Sequence, residues 1–148
     1  MRPGESIAEA IVTAINAATV VGSGYVAGVS LPISANTAAV RKLPRFTLED
    51  LVELKTCVAS RSRSMTPAGR GPRNHEVTVQ VMLLKKLDAD YTDFDDLLEL
   101  VYALDVLIAN QASLRWIRSS NDPEYDTDTL ETQGVFKSVL TLTFASIT

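Results

Sequence analysis

Val52-Glu53-Leu54-Lys55-Thr56-Cys57-Val58-Ala59 and Glu76-Val77-Thr78-Val79-Gln80-Val81-Met82-Leu83 are the two stretches from which the fold follows. In the first, Val52, Leu54, Thr56 and Val58 fall on one side of a pleated chain, with Glu53, Lys55, Cys57 and Ala59 on the other. In the second, Val77, Val79, Val81 and Leu83 share one face, opposite Glu76, Thr78, Gln80 and Met82. Two half-buried strands near 51–61 and 74–86, joined by one polar segment, predict an antiparallel hairpin. The joining segment, Arg61-Ser62-Arg63-Ser64-Met65-Thr66-Pro67-Ala68-Gly69-Arg70-Gly71-Pro72-Arg73, holds two glycines, two prolines and no acid. That composition excludes a two-residue turn and predicts a long basic hairpin loop over 61–73.

Outward from the hairpin, the hydrophobic period changes from two to about 3.6. Before it, Ile7, Ile11, Ala14, Ile15 and Ala18 form an apolar stripe behind Ser6-Ile7-Ala8-Glu9, which has the form of a capping box; a helix over 6–19 is predicted, ended by Gly22 and Gly24. Ile33 to Leu43, bracketed by Pro32 and Pro44, reads as an edge strand. After the hairpin, Phe94, Leu97, Leu98, Val101, Leu104 and Ile108 make the stripe of a helix over 93–109. Thr92 is its expected N-cap, and Asp93, Asp95 and Asp96 load its positive end. Leu114 to Arg118 reads as a short strand, Asn121 to Glu131 as an acidic loop, and Val135 to Ile147 as a strong strand rich in β-branched and aromatic residues. The predicted class is α+β: a mixed, mostly antiparallel four-stranded sheet (strands near 33–43, 51–61, 74–86 and 135–147) with two helices packed on it.

The chain has 148 residues, which predicts a single domain over 1–148, since two cores would each be too small to bury enough surface. Its formal charge of −4 gives no global reason for tight DNA binding. Cys57 is the only cysteine, so neither an intrachain disulfide nor a site of paired cysteines is available, and an inert, partly buried thiol is expected. The start lacks the pattern of a signal peptide, and the apolar run around Ala17 to Val29 is interrupted by Gly22, Ser23, Gly24 and Gly28. A soluble protein made in a cytoplasm, without membrane contact, is expected.

Candidate chemistry is sparse. His75 is the only histidine, so a triad or a zinc-binding histidine pair lacks partners, and a structural or surface role is expected. Gly22, Gly24 and Gly28 follow a helix rather than a strand, the wrong context for a dinucleotide fingerprint. Asp88, Asp90, Asp93, Asp95 and Asp96 lack the glycine that a calcium loop needs at its sixth position, and helix-start electrostatics accounts for most of them. No catalytic, cofactor or metal residue is therefore assigned. What remains is charge on excursions from the sheet: Arg61, Arg63, Arg70 and Arg73 on the basic segment, with Asp122, Glu124, Tyr125 and Asp126 on the acidic one. The arginines suit sequence-blind phosphate contacts or carboxylates of a neighbouring subunit. Opposite charges in one chain suit head-to-tail association into a ring.

The tracts Leu31-Pro32-Ile33-Ser34-Ala35 and Leu43-Pro44-Arg45-Phe46-Thr47-Leu48-Glu49-Asp50-Leu51, followed by the arginine segment, resemble small proteins of siphophage and prophage tail modules. Asn121-Asp122-Pro123-Glu124-Tyr125-Asp126, with Val135-Phe136-Lys137-Ser138-Val139-Leu140-Thr141-Leu142-Thr143-Phe144, resembles them more strongly. The resemblance is to tail-terminator, or tail-completion, proteins of the phage neck. It implies a mixed sheet flanked by helices and a non-enzymatic virion protein, made in the host cytoplasm. It further implies a hexameric ring that caps the tail tube and joins the tube protein to the head connector. The rival readings are a head-closure or other neck connector protein, a nucleic-acid-binding module using the basic segment, and, last, an enzyme; within a ring, the same segment suits non-specific contact with DNA in the lumen.

Overall fold

The computed structural model describes residues 2–20, 25–26, 29–30, 38–40 and 46–147. The elements are α1 (Pro3–Ala17), the short strands β1 (Thr19–Val20), β2 (Tyr25–Val26), β3 (Val29–Ser30) and β4 (Ala38–Val40), then β5 (Lys55–Pro67), β6 (Arg73–Lys86), α2 (Phe94–Ala109), β7 (Arg115–Ser120), α3 (Thr127–Gln133) and β8 (Val135–Ile147). β1, β2 and β3 form a small antiparallel sheet. The main sheet has the order β4-β5-β6-β8-β7. Its four long strands are antiparallel, and β4 adds at the β5 edge in parallel, Ala38 opposite Thr56 and Val40 opposite Val58. The class is α+β, as expected.

One sheet face carries the main core. Val58 of β5, Val77, Val79, Val81 and Leu83 of β6, and Leu140, Leu142 and Phe144 of β8 are all fully buried. α1 covers them with Ile7, Ile11 and Ile15, and α2 with Leu97, Leu100, Leu104 and Ile108. This is the alternation of the hairpin and the two helical stripes meeting one another, and burial of apolar area at about 25 cal/mol per Å² drives it. The opposite face is apolar at one end only. There Cys57, Ala59 and Met82 pack against Phe46 and Val139, while Leu51, Leu84 and Val135 form a second cluster with Phe46. Cys57 is therefore buried rather than half-exposed.

Several expectations are corrected. The basic segment 61–73 is not a loop: β5 and β6 run on as a paired ladder to Pro67 and Arg73, leaving only Ala68 to Pro72 as the turn. β5 from Ser60 to Pro67 is exposed on both faces, so no hydrophobic alternation betrays it, and the backbone ladder to β6 maintains it. Strand 51–61 begins later, at Lys55, after a 3-10 turn over Asp50–Val52. The first helix starts at Pro3 rather than Ser6, with proline in its first turn and no side-chain cap. The Ser6 amide already donates to Arg2 O at 3.0 Å, which leaves a capping box nothing to satisfy.

Thr92 does not cap α2. Its amide and hydroxyl donate to the Asp88 carboxylate at 3.0 and 2.8 Å, and Asp93 occupies the cap position. The acidic loop contains a third helix, α3, begun by Asp126, whose carboxylate accepts from the Asp128 amide, and ended by Gly134 at φ 64°. The short strand expected near Leu114 is β7, on the sheet edge beside β8. Of the edge strand expected over Ile33 to Leu43, Ala38–Val40 is β4, a parallel edge strand; the rest, with Gly22, Gly24 and Gly28, lies outside the described residues.

Candidate assembly interface

The long strands give the subunit two ends. At one, the hairpin turn Ala68 to Pro72 lies beside the finish of β8, because Asn74 pairs with Ile147. At the other, Lys86 pairs with Val135, and the starts of β5 and α2 and the whole of α3 gather. From residue 73 to 86 is 13 steps, about 43 Å at a rise of about 3.3 Å per residue.

Charge is sorted along this axis. Every described arginine lies toward the turn. Arg61, Arg63, Arg70 and Arg73 are on the hairpin, Arg115 and Arg118 sit on β7 opposite Ala145 and Thr143, and Arg2 shares a cleft with Arg61 and Arg63 at the start of α1. Every described lysine lies toward the other end: Lys55 and Lys137 both face Leu84, and Lys85 and Lys86 close β6. The lysines are outnumbered there by Glu49, Asp50 and Glu53, by Asp88 to Asp96, and by Asp122 to Glu131. Lys85 is buried and pairs with Asp93 at 3.3 Å, tying the end of β6 to the start of α2. Arg115 and Arg118 were not foreseen as members of the basic end. Their stretch was legible as a strand, but its place along the sheet depends on its pairing with β8.

The hairpin arginines differ in what holds them. A bulge between Ser60 and Ser62 turns Arg61 across the outer sheet face, where its Nε donates to Gln80 Oε1 at 2.9 Å and its Nη2 lies 4.0 Å from Met82 Sδ. Arg63 faces the helix side and meets His75 Nδ1 at 3.4 Å. Since arginine only donates, Nδ1 can serve only as the acceptor in this contact. His75 is buried, as a structural histidine. Arg73 folds back on the turn, donating to Gly71 O at 2.8 Å and Pro72 O at 3.3 Å. Arg118 pairs with Glu76 at 2.9 Å, an exposed bridge that contributes little to stability.

On the acidic side, the four candidates share a loop but not a role. Asp122 and Glu124 are exposed. Tyr125 is half-buried and meets Phe94 edge-on at 4.8 Å, so it anchors the loop to α2 instead of presenting a contact surface. Asp126 accepts from Thr129 Oγ1 at 2.6 Å, and this bond holds its carboxyl below the ordinary 3.8. Asp88 is held below 3.8 in the same way by the amide and hydroxyl of Thr92. Both therefore stay anionic to a lower pH than an ordinary aspartate. No group of three or more potential metal ligands occurs among the described residues, and no described helix is long and apolar enough to cross a membrane. No protein-family model matches the sequence, and no curated protein aligns with it significantly.

Proposed function

We propose that this chain is a structural virion protein of the tail-terminator kind, a ring subunit that caps a phage tail tube and presents a docking surface to the head connector. The observation that carries the proposal is that the described arginines gather toward one end of the sheet, where Glu5 and Glu76 pair with two of them, while the acidic segments Asp88 to Asp96 and Asp122 to Glu131 gather at the other. A subunit with complementary ends associates head-to-tail, and head-to-tail contacts close into rings when the rotation between neighbours allows. The α+β body, with α1 and α2 on one face, leaves the other sheet face, polar toward the turn, for neighbours. A hexamer is the expected ring, with the tube protein and the connector as axial partners.

Electron microscopy of particles made without the protein tests this reading. Overlong tails are expected, because growth of the tube is no longer stopped. Tails of normal length that fail only to join heads would transfer the protein to head closure. Normal, joined particles would refute a neck role altogether. A second reading, contact of the arginine end with DNA in the lumen, is favoured by the run of arginines from Arg61 to Arg73. It predicts a DNA affinity of the subunit that falls steeply with salt.

A further inference from the structure

Of the hairpin arginines, Arg70 alone has no partner among the described residues. Arg61, Arg63 and Arg73 each hold an acceptor within the subunit. Arg70 is exposed at the apex of the turn and makes no hydrogen bond or ion pair with the described residues. The turn beneath it is nevertheless well fixed. Ala68 N–H donates to Pro72 O at 3.2 Å, and the Arg73 guanidinium braces the carbonyls of Gly71 and Pro72. Gly69 and Gly71 flank Arg70 at φ 106° and 89°, a path that other residues adopt only under strain. The backbone that carries Arg70 is thus fixed before binding, and only the rotamer entropy of the side chain is left to lose.

A matching cleft lies on the outer sheet face. It has a volume of about 300 Å³ and is walled by Gln80, Ser120, Asp122, Asp126, Lys137 and Thr141. Asp126 is committed to Thr129 and the Asp128 amide, and Lys137 attracts it. The Asp122 carboxylate is uncommitted among the described residues. With the hydroxyls of Ser120 and Thr141 beside it, the cleft offers the acceptors that a planar, five-donor guanidinium takes. The two features cannot meet within one subunit. Gln80 and Arg73 are seven steps apart on β6, about 23 Å, well beyond the reach of one side chain.

We propose that Arg70 of one copy enters the Asp122 cleft of a second copy. The two surfaces differ, so the contact is heterologous and repeats from copy to copy. It deepens the ring-subunit reading, on which only the closure of the ring rests; the pairing itself stands on charge and geometry. Sedimentation velocity on the purified full chain, at low and moderate salt, tests it with R70E, D122R and R70E/D122R. Both positions are exposed, and circular dichroism verifies that each variant is folded; R70A and D122N serve where a reversal is not.

The wild type is expected to self-associate, more weakly as salt rises. Each single reversal should weaken association by about tenfold or more. The double variant, or a mixture of R70E with D122R, should recover to within about threefold of wild type. A wild type that stays monomeric at millimolar concentration, single variants that associate normally, or a double variant without recovery would each overturn the pairing. Tail length in particles is scored separately. Normal tails with an intact Arg70–Asp122 coupling refute the terminator role alone, and overlong tails with a monomeric subunit refute the pairing alone.

Discussion

Replacing Gly4 by alanine tests how closely α1 sits on the sheet. Gly4 is buried in the first turn, where the helix crosses β5 and β6. An added Cβ would overlap the Ser60 hydroxyl and lie 3.0 Å from Ser60 Cβ and 3.3 Å from Val77 Cγ1. The hydroxyl can rotate away, but Ser60 Cβ belongs to a paired strand and Val77 is fully buried. The helix must therefore shift, and overpacking of this kind costs about 1–3 kcal/mol. The better helix propensity of alanine offsets up to about 1 kcal/mol. A net loss of about 1–2 kcal/mol lowers Tm by about 2–8 °C for a chain of this size. The assay is a thermal melt followed by far-UV circular dichroism and by fluorescence of Trp116, across wild type, G4A, S60G and G4A/S60G. In the S60G background the overlap is gone, so G4A becomes neutral or stabilising. G4A melting at or above wild type, or losing as much with Ser60 removed, would refute the packing argument.

Three other substitutions probe separate claims. S6A should change stability by less than about 0.5 kcal/mol, whereas a working N-cap serine would be worth about 1 kcal/mol; a denaturant midpoint decides between them. T129A removes the strongest hydrogen bond to Asp126, so carboxyl NMR should show its pKa rising toward 3.8 while that of Asp88 stays low. Because the folded pKa of each group is depressed, the stability each contributes is present above pH 3.8 and fades as pH falls below it, and in T129A the Asp126 share disappears. R61A/R63A should fold within about 1 kcal/mol of wild type, since both side chains are exposed. The same variant should impair assembly into particles, and normal assembly would count against the role given to the arginine end.

The elements that bury a stripe were legible in the sequence, and those that do not were not. β6, β8 and α2 announce themselves because their apolar residues recur at the period of the structure they form. The outer half of β5 buries nothing, so Arg61 to Pro67 carries no period and reads as loop. α3 likewise buries no residue completely, although Asp126, Thr129 and Gly134 were available as start and stop signals. Pro3 signalled where α1 begins, but Ser6 and Glu9 offered a stronger-looking match. The interface residues were visible as charge, but their sorting was not. Which end of the subunit an arginine occupies depends on which residues it pairs with in β6 and β8, and one sequence does not contain that information locally.

The sheet order also governs when the subunit can form. Among the described residues β7 pairs with β8 alone, which leaves the ribosome after it, and β8 lies between β6 and β7. The hairpin of β5 and β6 can pair as soon as it emerges, because its contacts are local. Leu140, Leu142 and Phe144 must then arrive before Val77 to Leu83 lose water from their second flank and before β7 has anything to join. Between the emergence of β6 and that of β8, the nascent chain therefore exposes an apolar ribbon with an open edge. This makes the interval before β8 docks the period of greatest exposure to aggregation.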